Sequence, residues 1–435
     1  MILHSTNGKA PKVRFAQAIA NGIAPDGGLY VPDSFPHVPH ALFRNIQDMS
    51  VREVGFVVMS SLFGHAIPAV KLKAIVDEVL DFPIPMRRVD ESRYVLELFH
   101  GPTNSFKDIG ARFMARLLPV FSPLGAGGHR NIIMATSGDS GGAVANAFSG
   151  ARDTNVFVLF PKGLLSITDV IRFASFANVQ AIEVDGTFDE CQSLVRQALL
   201  VDAQSGTPRL TSGNSINPAR ELPAMIYFFY AYAQTVAATG KRDGVVISVP
   251  CGNLGSLAAA LMAKRMGLPV AGFFAANNAN DAFVEYLKTG GITPKKTLLT
   301  LARAMDVGNP SNLARIIDLY DGDLNRLRAD VRGYAYSDEE ISETIRETYR
   351  KLGEFIDPQG ATALRAIERH LSPGHSGVAL ASGHPGNYPA AMTAATGETP
   401  DAPMGTRPSS SGIPNGIMRI PATMGALNRI LNRFK

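Results

Sequence analysis

Cysteine is scarce in this chain: its 435 residues include only Cys191 and Cys251. Two cysteines cannot build a disulfide framework or a four-ligand zinc site, and such usage fits a reduced, cytoplasmic protein. Charge is scarce too. Charged residues make up 18%, and 42 basic against 38 acidic residues leave a net charge of +4. That balance is too weak and too evenly spread to suggest a nucleic-acid partner, although a local basic pocket for a phosphorylated metabolite stays open. Long apolar runs are missing as well. The best candidate, Met225–Ala237, is interrupted by tyrosines and Gln234, so a membrane span is not expected. The segment Met1–Gly8 lacks the basic stretch and apolar run of a signal peptide, and no internal repeat stands out.

What the chain has in plenty is apolar residue content, 46%, and length enough for two or three domains with a sizeable core. A first unit runs to about Arg88, with Pro83 and Pro85 marking a boundary. In it, Val13–Ala20 reads as a short helix, Gly22–Pro32 as a turn-rich loop entering a strand, and Val51–Phe63 and Ile67–Val79 as helices. Beyond it, strands alternate with helices. Strands are expected at 131–135, 156–160, 179–184, 244–249 and 271–276. Helices are expected at Thr187–Leu200, capped by Thr187, at Ala219–Ala238, and at Ser337–Leu352, where Glu340 completes a capping box. Such alternation implies doubly wound α/β architecture. Gly125–Gly128 reads as a loop, the Pro, Gly and Ser-rich 398–414 stretch as a mobile loop, and Arg419–Lys435 as a short basic helix. The expected division is an N-terminal domain over 1–88, a catalytic region of two α/β subdomains over 89–395, and a loop and tail over 396–435.

Lys107 closes the stretch Tyr94-Val-Leu-Glu-Leu-Phe-His-Gly-Pro-Thr-Asn-Ser-Phe-Lys-Asp108, where an apolar helix begins. A cation there sits at the wrong end of the helix dipole, beside apolar residues that resist its charge. Both effects lower a lysine's pKa and favour Schiff-base chemistry. The plain alternative, a lysine reaching solvent from a loop, is the commoner one for any single lysine.

Three further segments suit anions. The strand 131–135 empties into Thr136-Ser-Gly-Asp-Ser-Gly-Gly142 and a small-residue helix, a way to converge backbone N–H groups on a ligand. Gly138–Gly142 spells a trypsin-like nucleophile motif, but those proteases are disulfide-bearing β-barrels. A dinucleotide fingerprint fails too, because the glycine spacing is wrong and the next strand ends in Pro161-Lys162 instead of an acidic residue. Asn214-Ser-Ile-Asn-Pro-Ala-Arg220 places Asn217 and Arg220 near a helix start, either as an anion site or as an ordinary cap with a surface arginine. Pro250-Cys-Gly-Asn-Leu-Gly255 repeats the strand, loop, helix pattern and is the stronger cradle for a permanently bound phosphate.

These motifs resemble those of the threonine synthases, in order, from about Ser5 to Tyr388. Leu98–Asp108 looks like that family's cofactor-lysine motif. Gly22–Leu29 resembles its N-terminal signature, Ser137–Gly141 its Ser-Gly-Asp-Thr-Gly loop, Gly252–Gly255 its Gly-Asn-Phe-Gly loop, and Ala304–Asn312 its Met-Asp-Val-Gly segment. The resemblance implies a fold-type II, tryptophan synthase β-like enzyme dependent on pyridoxal 5'-phosphate (PLP). It implies conversion of O-phospho-L-homoserine and water to L-threonine and phosphate by a cytoplasmic monomer or homodimer.

By the same resemblance Lys107 carries the PLP and shuttles protons. Gly252, Asn253, Leu254 and Gly255 hold its phosphate, and Ser382 meets its pyridine nitrogen. Thr136, Ser137, Gly138 and Asp139 take the substrate carboxylate, while Lys162, Ser215, Asn217 and Arg220 take the leaving phosphate. Departures cluster late. Gln359 stands where the family has histidine, Asn387 where it has lysine, and Ser166-Ile-Thr-Asp169 alters its Ser-x-x-Gln. They leave a second expectation open, a sibling PLP phospholyase or replacement enzyme acting on another activated amino acid. A non-catalytic metabolite-binding protein on the same fold is a third.

Overall fold

The computed structural model describes residues 1–123, 128–205, 209–403 and 413–434. Most of the expected Gly125–Gly128 loop, and 404–412 of the 398–414 stretch, lie outside the described residues. The chain divides into two compact units that interleave in sequence. The first holds Met1–Ser34, Lys107–Leu222 and Gly405–Lys435, and the second holds Phe35–Phe106 and Pro223–Met404. The chain therefore passes from the second unit to the first between Phe106 and Lys107.

The first unit is built on a parallel five-stranded sheet. Its order is Ile417–Pro421, Val179–Asp185, Thr154–Pro161, Arg130–Ala135 and Leu210–Ser212. The inner strands Arg130–Ala135 and Thr154–Pro161 carry the near-continuous apolar runs of a sheet covered on both faces. One face packs Ile133, Phe157, Leu159, Ile182 and Val184 against Leu194, Val195 and Ala198 of the helix Phe188–Ala203. That helix starts with the predicted capping box between Thr187 and Glu190. A small antiparallel sheet of Val13–Arg14, Ile2–Ser5 and Tyr30–Pro32 completes the unit. The turn-rich loop before Tyr30 is organised by Asp26, whose carboxylate accepts from Ser5 Oγ and from the Lys9, Ala10 and Gly28 N–H groups.

The second unit has a six-stranded sheet in the order Val331–Ala335, Gly272–Asn277, Val245–Pro250, Ser376–Ala381, Arg93–Glu97 and Met86–Arg88. All neighbours are parallel except the last pair. The helix Pro358–His370 lies over this sheet, with Ala361, Ala363, Leu364 and Ile367 packed among Val246, Ala379 and Ala381. The helices Val51–Phe63 and Ala69–Val79 belong to this unit and match the periodicity of their apolar residues.

Several expectations are corrected. Val13 and Arg14 pair with the first strand, so the helix begins only at Phe15. The predicted helix Ala219–Ala238 is broken into Pro218–Glu221, a tight turn at Leu222–Ala224, and Met225–Thr239. Pro223 explains the break: it has no N–H and its ring clashes with the preceding turn, at a cost of about 3 kcal/mol inside a helix. The helix after Thr136 begins at Asp139, four residues earlier than its apolar content suggests, so half of the glycine-rich loop is helical. The expected C-terminal helix opens instead as the edge strand Ile417–Pro421 and turns helical at Met424–Leu431. Among the described residues no helix is long and apolar enough to cross a membrane, and no cluster of metal-ligating side chains occurs.

Candidate active site

In both units the candidate residues gather at one place, the carboxyl edge of the parallel sheet. Ligands of open α/β sheets bind at that edge because loops and helix N-termini open there.

In the first unit the helix Lys107–Phe121 opens on the lysine itself. The side chain is 16% exposed, and its Nζ lies 3.5 Å from an Asp139 carboxylate oxygen. Burial pushes the ammonium below its ordinary pKa; Asp139 opposes that shift and the Arg220 guanidinium adds to it. Both partners are delivered by the segments that suggested anion sites. Asp139 follows Gly138, whose φ of +148° only glycine adopts readily. The loop is tied down by Thr136, whose Oγ1 accepts from the N–H groups of Gly138 and Gly141. The N–H groups of Ser137 and Ser140 find no protein acceptor among the described residues.

Arg220 arrives on the short helix Pro218–Glu221. Asn214 anchors the preceding loop by exchanging two hydrogen bonds with the backbone of Ala135, the last residue of the strand before Thr136. Arg220 also donates to the Gly213 carbonyl. Asn217 is buried and fully engaged. Its Oδ1 caps the helix at the Ala219 N–H, and its Nδ2 donates to Ile19 O and Thr211 Oγ1. The structure thus brings Lys107, Thr136–Asp139 and Arg220 together, with Ser215 half-buried in the same loop, and makes Asn217 the brace of that loop. Lys162 follows another strand end on the same edge. It is 62% exposed and pairs with Asp185 at 3.4 Å.

In the second unit the loop Gly252–Gly255 follows the strand Val245–Pro250 and opens the helix Gly255–Arg265. Leu254 is held in the left-handed region at φ +61°, a costly conformation for a leucine. The N–H groups of residues 252–256 donate to no protein acceptor among the described residues. A half-buried row of unmet donors at the start of an 11-residue helix suits a phosphate. The loop is braced from behind: Asn253 Oδ1 accepts from the Ser311 N–H at 2.6 Å, and Asn253 O accepts from Asn312 Nδ2 at 2.9 Å. Asn312 Oδ1 in turn accepts from Arg315 at 2.6 Å, an arginine with 0% exposure. That bracing arginine escaped sequence reasoning; Arg315 lies three residues past a recognised motif, and no local pattern marks it as buried.

Ser382 follows the neighbouring strand Ser376–Ala381. It is buried, and its Oγ makes no hydrogen bond to the described protein. Its carbonyl accepts from the Phe106 N–H, and the His384 N–H donates to Asn104 O. These bonds clamp the residues just before Lys107 to the strand end. Asn387 joins the clamp through Asn104 O at 3.2 Å.

The pyridoxal-phosphate dependent enzyme family matches residues 85–383, and the threonine synthase N terminus matches residues 3–80. Threonine synthase of Haemophilus influenzae is 37% identical over 89% of both chains. The crystal structure of threonine synthase from Escherichia coli is 34% identical, with a TM-score of 0.91 over 100% of both chains. The PLP-bound threonine synthase from Brucella melitensis is 30% identical, with a TM-score of 0.87 over 100% of this chain and 99% of that one. The fold is that of the fold-type II PLP-dependent enzymes. Within that class, the chain belongs to the threonine synthase family.

Proposed function

We propose that this protein converts O-phospho-L-homoserine and water to L-threonine and phosphate, with PLP as its cofactor. The observation that carries the reading is Lys107: a half-buried amine of lowered proton affinity, 3.5 Å from a carboxylate, at the start of a helix. When bound, PLP supplies an electron sink for the substrate carbons. The chain's own residues do the rest. Lys107 attaches the cofactor and moves protons at the substrate's Cα, Cβ and Cγ, tasks that need an amine able to lose its proton near neutral pH. The unmet N–H groups and left-handed turn of 252–255 would hold the cofactor phosphate, and the Ser382 hydroxyl would meet the pyridine nitrogen.

The Thr136–Asp139 loop would hold the substrate carboxylate through the N–H groups of Ser137 and the adjoining Ser140, which find no protein acceptor among the described residues. Arg220 and Ser215 would take the leaving phosphate, with Asn217 setting their loop and Lys162 supplying longer-range positive charge. The same reading makes this a cytoplasmic enzyme, monomeric or homodimeric, in keeping with two buried, free thiols at Cys191 and Cys251.

The test is a product assay on O-phospho-L-homoserine with PLP present. Wild type is expected to release threonine and phosphate in equal amounts, and Lys107→Ala to lose about 10²–10⁴-fold in rate. Full turnover by the alanine variant would sink the role of Lys107. Release of 2-oxobutanoate with no threonine would establish the phospholyase instead.

A further inference from the structure

One buried side chain in the second unit has no partner at either end. Gln359 is 1% exposed, yet neither its Nε2 nor its Oε1 makes a hydrogen bond to the described protein. A buried amide without partners is expensive, and native structures keep one only where something else completes it. The position is informative. Gln359 is the second residue of the helix Pro358–His370, whose N-cap is Asp357. The next residue, Gly360, sits so close to the strand Ser376–Ala381 that an added Cβ would lie 3.1 Å from the Ala381 Cα. The residue after Ala381 is Ser382, whose hydroxyl is also unmet. Gln359 and Ser382 thus flank the point where the start of this helix meets the end of this strand, on the carboxyl edge of the sheet: a buried amide and an accessible hydroxyl, neither with a partner in the described protein. Two strands away on the same edge, Asn277 ends the strand Gly272–Asn277 and its Oδ1 is likewise unmet.

Accepting the proposed function, we propose that Gln359 is a cofactor-positioning residue, its amide hydrogen-bonding the polar edge of the PLP ring next to Ser382. An amide offers one donor and one acceptor group and carries no charge at any working pH. It therefore orients the ring without adding a titration of its own. The polar atoms of Gln359 would be completed only when the cofactor is bound.

The experiment compares wild type with Gln359→Met, which keeps the side chain's length and removes its hydrogen bonds. Full-length protein is prepared without cofactor, and PLP affinity is measured by equilibrium dialysis, with melting temperatures taken before and after PLP addition. The expected result is an apo melting temperature equal to or above that of wild type, because two unmet polar atoms are gone. PLP dissociation constants should rise about tenfold, the rise in melting temperature on PLP addition should shrink, and the absorption maximum of the bound cofactor should move. A PLP affinity equal to that of wild type overturns the assignment. So does a lowered apo melting temperature with unchanged affinity, which is the signature of a merely structural glutamine. If the methionine variant lacks a native circular dichroism spectrum, Gln359→Leu carries the same comparison. Wild type that binds no PLP would overturn the functional reading itself, whereas wild type that binds while the variant matches it overturns only the role of Gln359.

Discussion

Gly110 lies directly beneath the backbone of Arg220: a Cβ on that glycine would stand 2.5 Å from the Arg220 carbonyl oxygen and 3.2 Å from its Cγ. Gly110 is on the Lys107 helix, one turn from the lysine. The absence of a side chain is what lets Arg220 settle where its charge reaches Lys107. Gly110→Ala should gain about 1 kcal/mol of helix propensity but lose about 1–3 kcal/mol to overpacking. The expected net effect is a modest loss of stability in urea unfolding and a raised KM for the phosphorylated substrate. A more stable variant with unchanged KM would show that the Gly110 contact sets nothing.

Asp139 is the carboxylate that works against the lowering of the Lys107 pKa. The amine must be neutral to form a covalent bond, and Asp139 stabilises its charged form. Asp139→Asn removes that stabilisation, so the proton affinity of Lys107 should fall further. The pH profile of PLP attachment, followed by absorbance and borohydride trapping at Lys107, is expected to move to lower pH. A profile that stays in place or moves to higher pH contradicts the pairing.

The loop 252–255 depends on Asn253 for its shape. Its Oδ1 takes the Ser311 N–H, and removing it strands that donor. Asn253→Ala should cost about 0.5–1.5 kcal/mol of stability and loosen the left-handed turn at Leu254. PLP and free phosphate should both bind more weakly, by a similar factor, if the loop holds the cofactor through its phosphate. A variant that loses affinity for pyridoxal and keeps it for phosphate would place the loop elsewhere on the cofactor.

How legible was this in the sequence? Strands such as 131–135 and 244–249 were readable because burial on both faces leaves an apolar run. The Thr187 and Ser337 helix starts were readable because a capping box is local chemistry. What escaped depends on partners distant in the chain. Nothing in the run after Val13 says that it pairs with Leu3, and the 417–421 segment, expected to lead into a basic helix, becomes a strand only beside residues 181–185. The site follows the same rule. Lys107 and the glycine loops announce themselves by motif. That Asn217 spends its amide on Ile19 and Thr211, that Arg315 is buried behind Asn253, and that Gln359 is unmet are facts about neighbours far along the chain.

Asp306 is the clearest pH-sensitive group near the candidate phosphate loop. It is buried, and its carboxylate accepts from Asn278 Nδ2 at 2.8 Å, Asn280 Nδ2 at 3.3 Å, Thr300 Oγ1 at 2.7 Å and the Thr300 N–H at 3.0 Å. Burial outweighs these bonds and pushes its pKa up to about 6 from 3.8. A carboxyl with a raised folded-state pKa binds more protons in the native than in the unfolded protein between those two values. Its contribution to stability therefore falls as pH rises from about 4 to 6 and stays low above that. The contribution lost is at most about 3 kcal/mol. A Cβ on Gly252 would lie 2.7 Å from the Cα of Met305, so the residue next to Asp306 packs directly behind the loop. Apo protein should show this downward term in urea unfolding between pH 4 and 6, and Asp306→Asn should remove it while lowering stability at pH 5, where its new amide opposes the Thr300 N–H. An Asp306→Asn variant with the wild-type pH slope over that window would show that the carboxyl titrates alike in the folded and unfolded chain.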